Sequence, residues 1–217
     1  MSRVLLGVTG SVAAIKTPEL ARAIVGAGHE LRVVATAAAL HFFDPSDVVG
    51  GVIVDADEWP SGGYRRGDPV LHIELRRWAD LLVVAPLDAN TLAKLALGLS
   101  DNALTCVFRA WDFGRPVILA PAMNTLMWES PVTRRHLGQI LADRAGSVSG
   151  PWDLAEVDRV FAEHAPGIIL VPPMAKRLAC GDVGVGAMAE VAAIAEVVRG
   201  ALAAGGETGL PGVVDLD

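Results

Sequence analysis

Five short runs of apolar residues constrain the fold of this chain more than any other feature of its sequence. Each run is rich in Val, Ile and Leu, so a strand formed from it needs cover on both faces. Strands covered on both faces belong to parallel sheets, whose crossover connections place helices above and below. The sequence therefore predicts an α/β fold, a Rossmann-like open parallel sheet with helices on both faces. The runs are VLLGV (4–8), LRVVAT (31–36), LLVVAP (81–86), PVILAP (116–121) and GIILVP (167–172).

Three stretches between these runs have helical spacing, as the crossovers of a parallel sheet require. They are TPELARAIVGAG (17–28), ANTLAKLALGLS (89–100) and SPVTRRHLGQILADR (130–144). Pro18 lies near the start of the first stretch and Gly28 at its end, which is the usual placement of these residues around a helix. The pattern therefore predicts helices that alternate with the strands.

Length and composition fit one globular domain. The chain has 217 residues, of which 52% are hydrophobic and 20% are charged. That is enough to bury a core without disulfides or metal ions. We expect a single domain over residues 1–204 and a frayed C-terminal tail over 205–217, where the sequence is GGETGLPGVVDLD.

Charge and cysteine usage exclude several classes of partner. The net charge is −7 and the basic residues are scattered, so no positive stripe for nucleic acid is present. Cys106 and Cys180 form neither a disulfide framework nor a metal-ligand spacing, which predicts a reducing, cytoplasmic location and no metal. The N-terminal run resembles a signal peptide only superficially, because Lys16, Pro18 and Glu19 interrupt it. No uncharged run is long enough to cross a membrane.

The loop VTGSVAAIKT (8–17) follows the first predicted strand, at the edge where ligands bind in such sheets. Its Gly and Ser can offer backbone N–H groups and a helix dipole to a phosphate. A P-loop requires Gly directly before Lys16, where the chain has Ile15, and the dinucleotide fingerprint requires Gly-x-Gly, where it has Gly7-x-x-Gly10. A phosphate site and an ordinary tight turn therefore both remain open.

Two further loops place polar or reactive side chains at the same predicted edge of the sheet. Asp88, Asn90 and Thr91 crowd the start of the second helix, and capping explains only one of them. The Gly-rich stretch RLACGDVGVGAMAE (177–190) predicts a mobile segment that carries a thiol. It is either a lid over a pocket or a slack connection, and composition does not decide between them.

The segment PAMNTLMW places Asn124 between two methionines at the end of a predicted buried strand. An amide left unpaired away from water costs about 1–3 kcal/mol, so Asn124 needs partners. It either turns the chain by bonding to the backbone nearby, or it meets a ligand.

The segments GSVAAIK, LHIELRRWAD, APLDANTLAK, PAMNTLMW and ACGDVGVGAMAE carry a resemblance that spans about residues 4–191. Together and in this order they resemble the homo-oligomeric flavin-containing cysteine decarboxylases. The resemblance implies FMN as cofactor, held at a subunit interface of a homotrimer or of a dodecamer built from trimers. By matching position, the residues implied to bind FMN are Gly10, Ser11, Val12, Thr36, Ala38, Asp88, Ala89, Asn90, Thr91 and Ala122.

The implied reaction is decarboxylation of a cysteine carboxyl group, as in the relatives that convert 4'-phosphopantothenoylcysteine to 4'-phosphopantetheine in coenzyme A biosynthesis. Loss of CO2 leaves an electron pair on Cα, and an amide-bearing carbon offers no sink for it. If the thiol-bearing carbon is first oxidised to a thioaldehyde, its C=S group accepts that pair. The resulting enethiol is then reduced, which requires a proton from a nearby acid.

Three residues match the family's catalytic positions. His72 suits proton transfer or holding a carboxylate, because a histidine side chain can both give and take up a proton. Asn124 can donate to the substrate carboxylate and accept from its amide, while the methionines line an apolar flavin pocket. Cys180 can bring a thiol proton to the intermediate on the Gly-rich segment. The residues that match substrate contacts are Met127, Arg177, Ala179 and Met188.

Two other functions remain open within this resemblance. One is oxidative decarboxylation of a peptide C-terminal cysteine to an aminoenethiol, and the other is a non-catalytic flavoprotein that regulates a phosphatase. Cys180 favours the enzyme that completes the reduction. The chain departs from the family in a longer segment around 138–166, which we expect to be a surface excursion, although it could also reshape substrate access.

Overall fold

A five-stranded parallel sheet forms the centre of the molecule, in the strand order β2-β1-β3-β4-β5. The structure is a computed structural model and describes residues 1–146, 152–177 and 183–205. Each of the five apolar runs forms one strand of this sheet, so the predicted Rossmann-like fold is confirmed. The strands are β1 (Arg3–Val8), β2 (Glu30–Ala35), β3 (Leu81–Leu87), β4 (Val117–Pro121) and β5 (Ile168–Leu170).

The central strand β3 shows why these runs are continuously apolar. All seven of its residues are buried. Successive side chains of a strand point to opposite faces, so Leu82 and Val84 join the apolar cluster on one face, whereas Leu81 and Val83 join the cluster on the other. A strand with cores on both sides has no position left for a polar side chain.

The three helices predicted from the sequence are present, and others fill the remaining connections. Gly98 ends the second predicted helix after Leu97, before its predicted end at Ser100, because its φ of 71° lies in the left-handed region that glycine favours. In the described residues the helices are α1 (Thr17–Gly26), α2 (Asp55–Glu58), α3 (Leu71–Trp78), α4 (Ala89–Leu97), α5 (Ala103–Arg109), α6 (Thr125–Trp128), α7 (Pro131–Ala145), α8 (Val157–His164) and α9 (Val191–Gly205).

These helices cover both faces of the sheet. Leu20 of α1 and Ile194 of α9 belong to the apolar cluster on one face. Leu75 of α3, Leu104 of α5 and Leu137 of α7 belong to the cluster on the other face. None of the described helices is both long and apolar enough to cross a bilayer.

The segment around 138–166 packs into the core, so its interpretation as a surface excursion is wrong for the described part. It forms the end of α7 and all of α8. Leu141, Val157 and Phe161 are completely buried there. The apolar residues of α8 fall on one side of that helix, and burying this side against the sheet stabilises the segment.

Part of the Gly-rich stretch 177–190 is also more regular than the sequence suggests. Strand β6 (Met174–Arg177) pairs antiparallel with β7 (Val183–Ala187), and the two form a hairpin apart from the main sheet. The prediction of a loop is therefore wrong for 183–187. Residues 178–182 lie outside the described part of the chain, as does the predicted tail beyond Gly205.

Candidate active site

A crevice lies where the sheet changes its direction of winding. After β1 the chain moves to β2 on one side, and after β3 it moves to β4 on the other, so the carboxyl ends of β1 and β3 border an open groove. A cavity of about 510 Å³ occupies this position. The predicted site residues that line it are Gly10, Ser11, Val12, Asp88, Ala89, Asn90, Ala122, Asn124, Met127 and Met188.

Two other cavities lie elsewhere and contain none of the predicted site residues. One, of about 300 Å³, lies between α4, α5 and α7. The other, of about 640 Å³, lies beside α6 and Val185 and includes Asp153 and Leu154 from the long segment after α7. The cavity at the crevice is therefore the candidate active site.

The hydroxyl of Thr9 ties the two strand ends together beneath this cavity. Its Oγ1 donates a hydrogen bond to the Pro86 carbonyl oxygen at 2.8 Å and accepts one from the Asp88 backbone N–H at 2.7 Å. Thr9 is completely buried, so no water can replace these bonds, and its hydroxyl group is satisfied both as a donor and as an acceptor. The loops after β1 and β3 are consequently held in a fixed relation.

Gly10 lets three loops meet at one end of the cavity. A Cβ atom at this position would lie 2.6 Å from the Ala38 Cβ atom and 3.2 Å from Asp88 Oδ2. Ser11, the next residue, caps the short 3-10 helix Val12–Lys16 by accepting a hydrogen bond from the Ala13 N–H. A side chain larger than hydrogen at Gly10 would force these loops apart.

The residues of the DANT segment (88–91) have two roles, since one caps helix α4 and three line the cavity. Asp88 Oδ1 accepts a hydrogen bond from the Thr91 N–H at 2.7 Å, which makes Asp88 the N-cap of α4. Asp88, Ala89 and Asn90 line the cavity, whereas the Thr91 side chain is buried and does not. Of the four residues of this segment that were predicted to bind FMN, Thr91 is therefore the one that does not line the cavity.

Thr36 and Ala38 lie beside the cavity rather than in its lining. Both follow β2, and Ala38 is the residue that a side chain at Gly10 would strike. The Thr36 side chain is only 8% exposed, and its Oγ1 has no hydrogen-bond partner within the described residues. A buried hydroxyl in this state can still form a hydrogen bond if a polar group reaches it.

Asn124 turns the chain, which was one of the two interpretations that its sequence left open, and its predicted contact with a ligand stays a prediction. Its Oδ1 accepts a hydrogen bond from the Leu126 N–H at 2.9 Å and so caps α6. The residue also lines the cavity between Met123 and Met127. The cap therefore fixes the direction in which this amide is presented.

Strand β7 approaches the segment that carries Asn124 very closely. A Cβ atom at Gly186 would lie 2.2 Å from the Met123 carbonyl oxygen, and one at Gly184 would lie 2.6 Å from Thr125 Oγ1. The Met123 N–H also donates to the Gly186 carbonyl oxygen at 2.9 Å. The glycines of this stretch thus permit close packing of a wall of the cavity.

His72 is not among the residues that line the cavity. It lies in the first turn of α3, the helix that precedes β3. Its Nδ1 atom is 2.6 Å from Glu58 Oε1. One chain therefore does not bring the predicted catalytic histidine to Asn124.

The predicted residues of the Gly-rich stretch can be placed only in part. Met188 lines the cavity. The backbone of Arg177 ends β6, whereas Ala179 and Cys180 lie outside the residues that the structure describes. Their predicted roles in substrate binding and protonation stay predictions.

Cys106 has the properties of a packing residue rather than a reactive thiol. It is partly buried in α5, and its Sγ lies 3.4 Å from the Ser100 carbonyl oxygen. Burial raises the pKa of the Cys106 thiol, and the nearby carboxylates of Glu58 and Asp101 add to this effect. A raised pKa disfavours the thiolate that nucleophilic chemistry needs.

A charged group that no sequence motif indicates lies at the rim of the cavity. Lys16 and Lys176 both line it, and Glu190 bridges their ammonium groups at 2.8 and 3.0 Å. Hydrogen bonds from Lys16 and then Lys176 lower the pKa of Glu190 to about 2, so this carboxylate is ionised at neutral pH. Lys16 is 174 residues from Glu190 in the sequence, and Lys176 is joined to Glu190 through the β6–β7 hairpin, which the sequence did not predict.

Comparison with known proteins decides the family. The family model described as Flavoprotein matches residues 1–203. The chain belongs to the flavoprotein family. The Mus musculus protein named phosphopantothenoylcysteine decarboxylase is 48% identical to this flavoprotein over 201 residues, which cover 92% of this chain and 87% of the mouse protein.

Two solved structures are similar to this flavoprotein over almost its whole length. A cysteine-to-serine mutant of PPC decarboxylase complexed with pantothenoylaminoethenethiol has 49% sequence identity and a TM-score of 0.75, and the match covers 91% of this chain and 96% of that chain. The FMN binding protein AtHal3 has 50% identity and a TM-score of 0.71, with 91% and 95% covered. The cavity described above therefore belongs to a fold that is shared with flavin-binding and decarboxylating proteins.

Proposed function

We propose that this flavoprotein decarboxylates the cysteine carboxyl group of 4'-phosphopantothenoylcysteine with FMN as cofactor, giving 4'-phosphopantetheine in coenzyme A biosynthesis. The observation that carries the proposal is the cavity at the winding reversal, where Asn124, Met188 and the loops expected to bind FMN meet. Relatives that are 48% and 50% identical and bear the name of this decarboxylase support the choice of substrate.

The residues at the cavity fit a flavin mononucleotide. Ile15, Phe42 and Met123 supply apolar walls, and the unpartnered hydroxyl of Thr36 would gain a polar partner. We place the phosphate at the turn that begins with Gly10, where backbone N–H groups can receive it. Bound FMN supplies a reversible two-electron oxidation of the thiol-bearing carbon.

Asn124 is suited to orient the substrate carboxylate. Its capping bond to the Leu126 N–H fixes the side chain, so little conformational entropy is lost when it binds. An amide donor stabilises a carboxylate without adding a charge, and it leaves CO2 free to depart. Met123 and Met127 on either side keep the departing group in an apolar environment.

We propose that the complete site is shared between subunits of a homotrimer or of a dodecamer built from trimers. His72 does not reach the cavity within one chain. Next to the cavity, large apolar side chains are unusually exposed: Val12 is 46% accessible, Ile15 58%, Leu126 77% and Met127 49%. A second subunit would cover this surface, and His72 of the partner subunit would then supply the missing proton-transfer group.

The two lysines at the rim suit an anionic part of the substrate. Lys16 lies on the 3-10 helix after β1 and Lys176 on β6, so they approach the cavity from different walls. Glu190 now holds both ammonium groups at hydrogen-bond distance. We propose that the substrate phosphate reaches these lysines, because a phosphate offers more acceptor oxygens than the single carboxylate that bridges them.

Cys180 is proposed to deliver the final proton to the enethiol. The hairpin strands β6 and β7 flank its segment, and β7 contributes Gly186 to the cavity wall. A free thiol in this role needs reducing conditions, which supports a cytoplasmic location.

The first test compares products of the wild-type protein and of Cys180→Ser. Wild type loaded with FMN should convert 4'-phosphopantothenoylcysteine to a product that has lost CO2 alone. Cys180→Ser should release CO2 but lack the last proton donor, so mass spectrometry should find a product that has lost CO2 and two hydrogens. Failure of wild type on this substrate, with turnover of peptides that end in cysteine, would instead support the peptide decarboxylase.

The second test asks whether the site is shared between subunits. His72→Asn removes the proton-transfer group, and Asn124→Asp sets a carboxylate against the substrate carboxylate, so each variant alone should be inactive. Random mixing of the two in trimers pairs an intact cavity with an intact His72 of the partner subunit in about one quarter of the sites.

Coexpressed variants should therefore regain about one quarter of the wild-type activity. Separately expressed variants combined without subunit exchange are the control and should remain inactive. Coexpressed protein that stays as inactive as either variant would contradict a shared site.

The third test concerns phosphate recognition. Lys176→Met should raise KM for 4'-phosphopantothenoylcysteine by about tenfold, the effect of losing one charge-assisted hydrogen bond at an accessible site. KM for unphosphorylated pantothenoylcysteine should be almost unchanged. Lys94→Met is a matched control, because Lys94 pairs with Asp101 away from the cavity. An equal rise in KM for both substrates would show that the phosphate binds elsewhere.

A further inference from the structure

Glu58 holds the predicted catalytic histidine at two points. Its Oε1 lies 2.6 Å from His72 Nδ1, and its Oε2 accepts a hydrogen bond from the His72 backbone N–H at 2.8 Å. The Glu58 side chain is only 4% exposed, whereas that of His72 is 23% exposed. One side of the ring is thus fixed by a buried carboxylate while another side remains accessible.

We infer that Glu58 is a positioning residue that sets the tautomer of His72 for the proposed decarboxylation. An ionised carboxylate can only accept hydrogen bonds, so Nδ1 must carry the proton that lies between the two groups. In the neutral ring, Nε2 then has no proton and is available as an acceptor for a substrate proton. This inference rests on the proposed function, because His72 acts on a substrate only there.

The helix that carries Glu58 is anchored on both sides. Asp55 Oδ1 accepts a hydrogen bond from the Ala103 N–H at the start of α5 at 3.0 Å. Asp57 Oδ2 accepts one from the Val54 N–H at 2.8 Å, which closes the first turn of α2. The acidic side chains of α2 therefore have separate tasks, and only the Glu58 carboxylate is directed at His72 among the contacts of the described residues.

A purely structural role for Glu58 has to be separated from this one. By accepting from the His72 N–H, Glu58 also satisfies one of the free backbone donors in the first turn of α3. Loss of that cap would destabilise the helix without any effect on the tautomer. The test must therefore preserve the cap and the side-chain volume while it changes the acceptor that faces Nδ1.

Glu58→Gln meets this requirement. The glutamine oxygen can replace only one of the two carboxylate oxygens. It faces either the His72 backbone N–H or His72 Nδ1, and the glutamine NH2 group then faces the other. A backbone N–H cannot give up its proton, whereas an imidazole can change tautomer, so the oxygen should keep the backbone contact. The NH2 group then donates to Nδ1, and the ring proton moves to Nε2.

Long-range ¹H–¹⁵N correlation spectra of protein labelled with ¹⁵N-histidine would show the tautomer directly. The His72 signals can be assigned by their absence from His72→Asn, and spectra are recorded at a pH where the ring is neutral. Wild type should show protonated Nδ1, and Glu58→Gln should show protonated Nε2. Glu74→Gln removes an exposed charge from the same helix α3 and should leave the wild-type pattern.

Turnover of FMN-loaded protein provides the second readout. Glu58→Gln should lower kcat by about 100-fold, the usual contribution of a correctly protonated acid-base group, with little change in KM. Glu58→Asp keeps an acceptor-only group, although a shorter one, and should therefore be more active than Glu58→Gln. If capping and packing were the only roles, Glu58→Gln, which preserves the side-chain volume, would be the more active of the two.

The two proposals fail in different ways. Wild type that does not decarboxylate its substrate would overturn the proposed function, while the spectra would still report on Glu58. Active wild type together with an unchanged His72 tautomer in Glu58→Gln would overturn the inference about Glu58 and leave the decarboxylase standing.

Discussion

The reversal of winding between β1 and β3 is the constraint on which the rest of this structure depends. Parallel strands bring their carboxyl ends to one edge, and the reversal separates the loops that leave two neighbouring strands. The buried Thr9 hydroxyl bonds to Pro86 and Asp88 and so fixes the floor of the opening. Gly10 then lets the loops after β1, β2 and β3 approach one another without collision. The cavity follows from this topology rather than from any single motif.

The sequence predicted those features that depend on local pattern. The apolar runs became strands because both cores of the sheet demand apolar side chains on both faces, as Leu82 and Val83 of β3 show. The residues that the family motifs singled out after β1, β3 and β4 line one cavity, and their role in binding FMN stays a prediction. The prediction of a surface excursion around 138–166 is wrong because the length of a segment carries no information about the burial of residues such as Phe161.

Other parts of the site could not be predicted, since they depend on contacts between distant residues. Lys16 meets Glu190 only because the turn after β1 and the residues after β7 reach the same edge. Glu58 meets His72 across a connection that has no periodic pattern. Strand β7 was hidden by its glycines, which weaken the strand signal and are needed at Gly186 for close contact with Met123.

Within one chain, the two residues proposed to act on the substrate lie in separate places. Asn124 lies in the cavity, whereas His72 lies on α3, where it pairs with Glu58 and its side chain is 23% exposed. Exposed apolar residues such as Leu126 occupy the surface beside the cavity. In the proposed oligomer, a second subunit covers that surface and supplies His72 to the cavity, so assembly and catalysis are expected to depend on the same contacts.

The most direct measurement of the central claim is a crystal structure of the protein saturated with FMN. The flavin is predicted to occupy the cavity at the carboxyl ends of β1 and β3, with its phosphate at the Gly10 turn and a polar atom bonded to Thr36 Oγ1. FMN bound at another place, or a cavity that stays without flavin at saturating FMN, would contradict the assignment of this crevice as the active site.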